Sequence, residues 1–156
     1  MSRAFRPIVR IAGTDVEGRL RLVHGLAEIK GVGYNLALSI CRTLGLDPDM
    51  KTGFLTENEI KEIEKVLRNP VASGIPPWAV NRRKDPVTGE DVHFVEADLI
   101  FHVKEDIERE KRIKSWRGIR HALGLKVRGQ RTRTTGRTGI TVGVRKRRAE
   151  QQQQKK

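Results

Sequence analysis

The chain has 156 residues, enough for one modest domain with an appendage or for two very small ones. Its 32 basic against 19 acidic side chains leave a formal charge of +13, so the molecule repels itself unless a polyanion neutralises it. A single cysteine, Cys41, excludes an internal disulfide framework and any multi-cysteine zinc site, and no apolar run approaches the ~20 residues that span a bilayer. With no signal-peptide core at the N-terminus, these features predict a soluble, intracellular protein.

Phe5 to Ile11 alternates loosely and fits a short strand or an extended arm. Thr14-Asp15-Val16-Glu17 has the spacing of a capping box, which predicts a helix start with Thr14 as its cap. Leu20, Val23, Leu26 and Ala27 then recur at helical spacing through Ile29. Gly31-Val32-Gly33 breaks the pattern, and Leu36, Ile40 and Leu44 mark a second helix that Gly45 closes. Thr56-Glu57-Asn58-Glu59 is another capping box, followed by Ile60, Ile63 and Leu67 on one face until Asn69-Pro70. Gly74, Pro76 and Pro77 forbid a regular element over 71–77. Trp78 to Arg83 and Asp91 to Val95 predict two short strands around the turn 85–89. From Asp98 a long helix is expected, with Leu99, Val103 and Ile107 aligned, interrupted at Gly118 and closed by Gly124. Beyond Gly124 apolar periodicity disappears, and residues 125–156 are too polar to bury a core of their own.

The charge follows this division. Residues 1–108 hold 15 basic and 17 acidic side chains, whereas residues 109–148 hold 15 basic and one acidic, Glu110. A near-neutral body with a cationic limb is the electrostatic footprint of a nucleic-acid partner. The segment Arg117 to Arg137 combines arginine forks, which bind phosphate bidentately, with glycines and with Thr and Gln donors. Such a limb suits irregular or single-stranded RNA better than a DNA groove. A solvated tail is the bland alternative, but residues 111–149 contain no acid to balance the charge.

The second motif is Glu28-Ile29-Lys30-Gly31-Val32-Gly33, a helix-hairpin-helix turn whose glycines allow a tight bend and a close approach. The N–H groups that open the following helix can receive a phosphate. An ordinary helical corner explains the same residues equally well. Catalytic constellations are absent from the pattern. His24, His93, His102 and His121 lack metal-ligand spacing, and Cys41 falls on an apolar helix side where a thiol is inert. Neither a Walker loop nor a nucleophile elbow occurs. Trp78 and Trp116 could stack on bases, but anchoring against the small core is the favoured reading.

Together these motifs resemble the universal ribosomal protein family thirteen of the small subunit, over nearly all of residues 3–146. The most specific part is Arg117-Gly118-Ile119-Arg120-His121 followed by Gly124-Leu125-Lys126-Val127-Arg128-Gly129-Gln130-Arg131-Thr132-Arg133-Thr134. Ile11-Ala12-Gly13 and the Ile29 to Gly33 turn also fit, while Asn81 to Asp85 and Thr134 to Arg137 resemble the archaeal and eukaryotic branch. The terminal Gln-rich stretch lies outside the family pattern. The resemblance implies a mainly α fold: a helix-two-turns-helix head, a small β-hairpin, a long helix and an extended basic C-terminal tail. The corresponding segments are 1–70, 71–97, 98–124 and 125–156.

It also implies a structural, non-enzymatic constituent of the cytoplasmic ribosome without cofactor or membrane contact. Members sit in the head of the small subunit and bind its ribosomal RNA. Their implied partners are a neighbouring head protein (family nineteen), a large-subunit bridge protein (family five) and transfer RNA. Carried over by position, Arg117, Arg120, His121, Lys126, Arg128, Gln130, Arg131, Arg133 and Arg137 would contact ribosomal RNA. Lys30, Gly31 and Gly33 form the candidate phosphate-binding turn, and Arg145, Lys146 and Arg147 the tail nearest transfer RNA. Two other classes share some of these features. Base-excision glycosylases carry similar heads, but with an N-terminal amine nucleophile and often a zinc finger, for which Met1-Ser2-Arg3 and one cysteine offer nothing. A free nucleic-acid chaperone would use the same basic limb with no fixed place in a particle.

Overall fold

The computed structural model describes residues 4–135. Two antiparallel strands open the fold, β1 (Ile8–Ile11) and β2 (Thr14–Glu17), in the register Ile8↔Glu17 to Ile11↔Thr14. Ala12 and Gly13 between them both have positive φ, 48° and 86°, which is the two-residue turn that matches strand twist. The helix start expected at Thr14 is therefore replaced by a strand. The period-two placement of Val9, Ile11 and Val16, all buried, outweighs the local capping pattern.

Three helices complete the head: α1 (Leu22–Ala27), α2 (Tyr34–Leu44) and α3 (Glu57–Arg68). Leu22 and Leu26, Ile40 and Cys41, and Ile63 and Leu67 meet the hairpin residues in one continuous apolar core. Gly45 closes α2 in the left-handed region, with the Leu46 N–H donating to the Cys41 carbonyl at 2.9 Å. At α3 the capping box is complete: Thr56 N–H donates to Glu59 Oε2 (2.8 Å) and Glu59 N–H to Thr56 Oγ1 (3.4 Å). Burial pushes the Cys41 thiol up to about 11, consistent with an inert packing role.

The segment after Pro70 folds back on itself with less regular structure than expected. A 3-10 turn covers Pro77–Ala79, and the two predicted strands reduce to one bridge between Arg82 and Val92. Side chains replace the ladder. Asn81 clamps Phe94 by accepting from its N–H at 3.0 Å and donating to its carbonyl at 2.6 Å. Asp85 accepts from Arg82 Nε, from the Thr88 N–H at 3.1 Å and from the Thr88 hydroxyl at 3.1 Å. These contacts hold its carboxyl down at about 2, the guanidinium hydrogen bond being the largest cause.

The long helix α4 spans Glu96–Ile113 and α5 spans Trp116–Ala122. The interruption falls at Lys114 (φ 57°) and the cap Ser115, not at Gly118 as the sequence suggests. The chain divides into two compact units, one ending at Lys104 and the other beginning at Glu105. Contrary to expectation, neither tryptophan is a core anchor: Trp78 is 70% and Trp116 72% exposed. Among the described residues no helix is long and apolar enough to cross a membrane.

Candidate nucleic-acid interface

The second unit is organised by a corner between the end of α4 and α5. Ser115 Oγ accepts from the Gly118 N–H at 3.0 Å and donates to the Glu110 carboxylate. Gly118 is buried because it lies against the Glu110 backbone: a Cβ there would stand 2.1 Å from the Glu110 carbonyl oxygen. Only glycine permits that approach. At the far end of α5, Leu125 N–H donates to the Arg120 carbonyl (2.9 Å) and Gly124 (φ 67°) turns the chain out of the helix.

This corner brings three of the expected residues together. Arg117, His121 and Arg128 line one open cleft of about 780 Å³, with Val127 and the α4 residues Asp106, Ile107, Arg109 and Glu110. The acids there are engaged, Asp106 with Arg109 at 3.2 Å and Glu110 with Ser115. Arg117 and Arg128 make no ion pair among the described residues, so their guanidinium donors remain available to an anion. Arg120 is directed elsewhere: its Nε donates to the Lys126 carbonyl at 2.5 Å and its guanidinium lies 5.6 Å from the Trp116 ring centroid. It braces the exit of the limb from α5. Gln130 folds onto its own segment, Oε1 accepting from the Arg128 N–H at 3.0 Å. Lys126, Arg131 and Arg133 are exposed, in a stretch without helix or strand through Thr135. Arg137, Arg145, Lys146 and Arg147 lie outside the described residues.

The glycine turn in the first unit has a different character. Lys30 N–H is already bound to Glu96 Oε1 at 2.7 Å, and the same oxygen accepts from Thr14 Oγ1 at 2.7 Å. These two hydrogen bonds lower the Glu96 pKa, with the Lys30 amide the larger cause. Gly31 (φ 101°) sits where a Cβ would meet the Phe94 carbonyl oxygen at 2.7 Å. At Lys30 and Gly31 the turn thus makes internal contacts, with the Glu96 carboxylate on the Lys30 N–H and the Phe94 carbonyl against Gly31. A Cβ at Gly33 would meet nothing within 4 Å, so only that end of the motif is open.

The family model described as ribosomal protein S13/S18 matches residues 10–138. The chain belongs to this family. Small ribosomal subunit protein uS13 of Staphylothermus marinus is 70% identical, the match covering 94% of this chain and 97% of the relative. That of Hyperthermus butylicus is 66% identical over 91% and 94%, and that of Saccharolobus solfataricus 54% identical over 98% and 93%. As an S13/S18 protein of the archaeal type the chain is a structural component of the small ribosomal subunit, with a part in translation and no enzymatic turnover.

For an S13/S18 chain, the residues that sequence reasoning misses at this interface are those that shape it. Ser115 and Gly118 carry the three-residue spacing of a cap, a legible signal hidden by reading Gly118 as a helix break. Glu110 looks like one more solvated acid, and its tie to Ser115 has no local signature.

Proposed function

We propose that this chain binds ribosomal RNA in the head of the small subunit through the limb that begins at Arg117. Arg117, His121 and Arg128 form its root, and Lys126, Gln130, Arg131, Arg133 and Arg137 continue it along the phosphate backbone. The observation that carries this reading is the convergence of Arg117, His121 and Arg128 on one cleft whose acids are already paired. The Arg117 and Arg128 guanidinium forks, which make no ion pair among the described residues, suit phosphate, which such forks hold bidentately. Gly33 leaves a weaker backbone contact at the glycine turn. On the resemblance to the family, the globular part contributes to the bridge with the large-subunit protein of family five beside the head protein of family nineteen. Arg145, Lys146 and Arg147 approach transfer RNA.

The test is binding to small-subunit ribosomal RNA across a salt series, together with cosedimentation with small subunits. Replacing Arg128 and Arg131 together by alanine should lower the salt slope by about 0.7–0.9 for each lost phosphate contact, with the melting temperature unchanged. A large fall in melting temperature of the isolated protein would assign these arginines to packing instead. Recovery of the intact protein only in free fractions at moderate salt would sink the ribosomal placement.

A further inference from the structure

The segment between α3 and α4 has no part in the limb, yet it is built with unusual care for an exposed loop. The Asn81 clamp on Phe94, the Asp85 network and the bridge at Arg82 and Val92 hold it without a regular ladder. What this frame holds outward is Arg83 and Lys84. Both are exposed, and neither side chain makes an ion pair or hydrogen bond among the described residues. Lys84 is held at a φ of 48°, a conformation rare for a residue with a Cβ, with its N–H donating to Asp91 Oδ1 at 2.8 Å. Trp78 stands beside them, 70% exposed. Pro77, Trp78, Asn81, Arg83, Lys84 and Asp91 line one open cleft of about 540 Å³.

We infer that this cleft is a second RNA site, in which the Trp78 indole stacks on an unpaired base while Arg83 and Lys84 hold its flanking phosphates. Charge decides the class of occupant. One of the two apolar side chains lining the cleft is a flat aromatic plate, and the two cations oppose a single acid whose carboxylate is occupied by a backbone amide. An apolar protein segment would find little to bury against and two charges to desolvate. An unstacked base finds a π-face and its backbone finds cations, the pairing used by proteins that bind single strands. The frame lowers the entropic cost of binding by fixing the backbone that carries both cations. The inference extends the RNA-binding reading to the first unit, and it stands or falls separately from the limb.

Fluorescence can isolate the site because the chain has two tryptophans. In a full-length Trp116→Phe background, Trp78 is the sole emitter. The probe is a single-stranded oligoadenylate of about ten nucleotides carrying a terminal dye, with heparin as a polyanion that cannot stack. Saturable quenching of Trp78 by oligoadenylate and not by heparin is the expected result. Trp78→Ala in the otherwise native chain should weaken binding about tenfold, with Trp78→Phe restoring most of it. Arg83→Ala with Lys84→Ala should lower the salt slope by about 1.4. Anisotropy of the dye reports binding through any part of the chain. Binding without Trp78 quenching, or equal quenching by heparin, overturns the site and leaves the limb reading standing. No binding at either readout overturns both.

Discussion

The two units solve opposite problems with the same chain. The head buries Val9, Ile11, Val16, Leu22, Leu26, Ile40, Ile63 and Leu67 in one core, and its charged side chains nearly cancel. From Glu105 onward, Gly118 is the one buried residue among those described, and Ile113, Trp116 and Leu123 stand about 70% exposed: 67%, 72% and 67%. The head draws its stability from apolar burial, which needs no partner. The limb cannot do so, and its positive charges repel one another until an anion lies among them. Stability and RNA affinity should therefore be separable by mutation, because they reside in different residues and answer to different forces.

The largest expected effect tests that separation directly. Ending the chain at Gly124 should remove most RNA affinity, by orders of magnitude at moderate salt, while the thermal transition of the head stays where it was. An unchanged salt slope in this truncation would break the comparison. Leu26→Ala should do the reverse, lowering stability by about 2–5 kcal/mol in chemical denaturation and leaving the salt slope intact. Acid sharpens the contrast within the head. His93 is buried with Nδ1 accepting from the Asn81 N–H at 3.3 Å, and burial pulls its pKa below the ordinary value. Below about pH 6.5 the unfolded chain takes up a proton that the folded one resists, so stability is complete above that pH and declines as pH falls. The decline should reach at most about 1.4 kcal/mol per pH unit, and His93→Gln should flatten it between pH 7 and 5. A smaller effect is expected at the α3 cap, where Thr56→Ala should cost about 1 kcal/mol of stability with no change in RNA binding. The smallest is Arg128→Ala alone, a salt slope lower by about 0.7–0.9 and a melting curve superimposable on the parent.

What could be read in advance depended on how local the cause was. The α3 cap at Thr56, the left-handed closures at Gly45 and Gly124, and the helical faces of Leu36 with Ile40 and Ile63 with Leu67 are all set by neighbours within a turn or two. They were legible for that reason. At Thr14 the capping spacing is real, but the pairing of Val9 with Val16 decides the conformation across the turn. Gly118 reads as a break in the sequence, but its role is a contact with Glu110, eight positions back and across the corner. The second pair of strands did not form as expected, since Asn81 and Asp85 satisfy the backbone with side-chain bonds that composition does not announce. At the interface, the identity of the cationic residues was plain, and their grouping was not. Arg117, His121 and Arg128 share a cleft while Arg120 turns to Lys126, a difference of geometry among residues of the same charge.

By itself the sequence determined the helical character of the head, the charge of the limb and its separation from the core, because periodicity and net charge are properties of the chain's order alone. Tertiary structure alone decided which strands pair, where the long helix breaks, that Lys30 and Gly31 pack against Glu96 and Phe94, and which cations stand open to an anion. Those outcomes depend on distances between residues far apart along the chain, and such distances exist only once the core has closed.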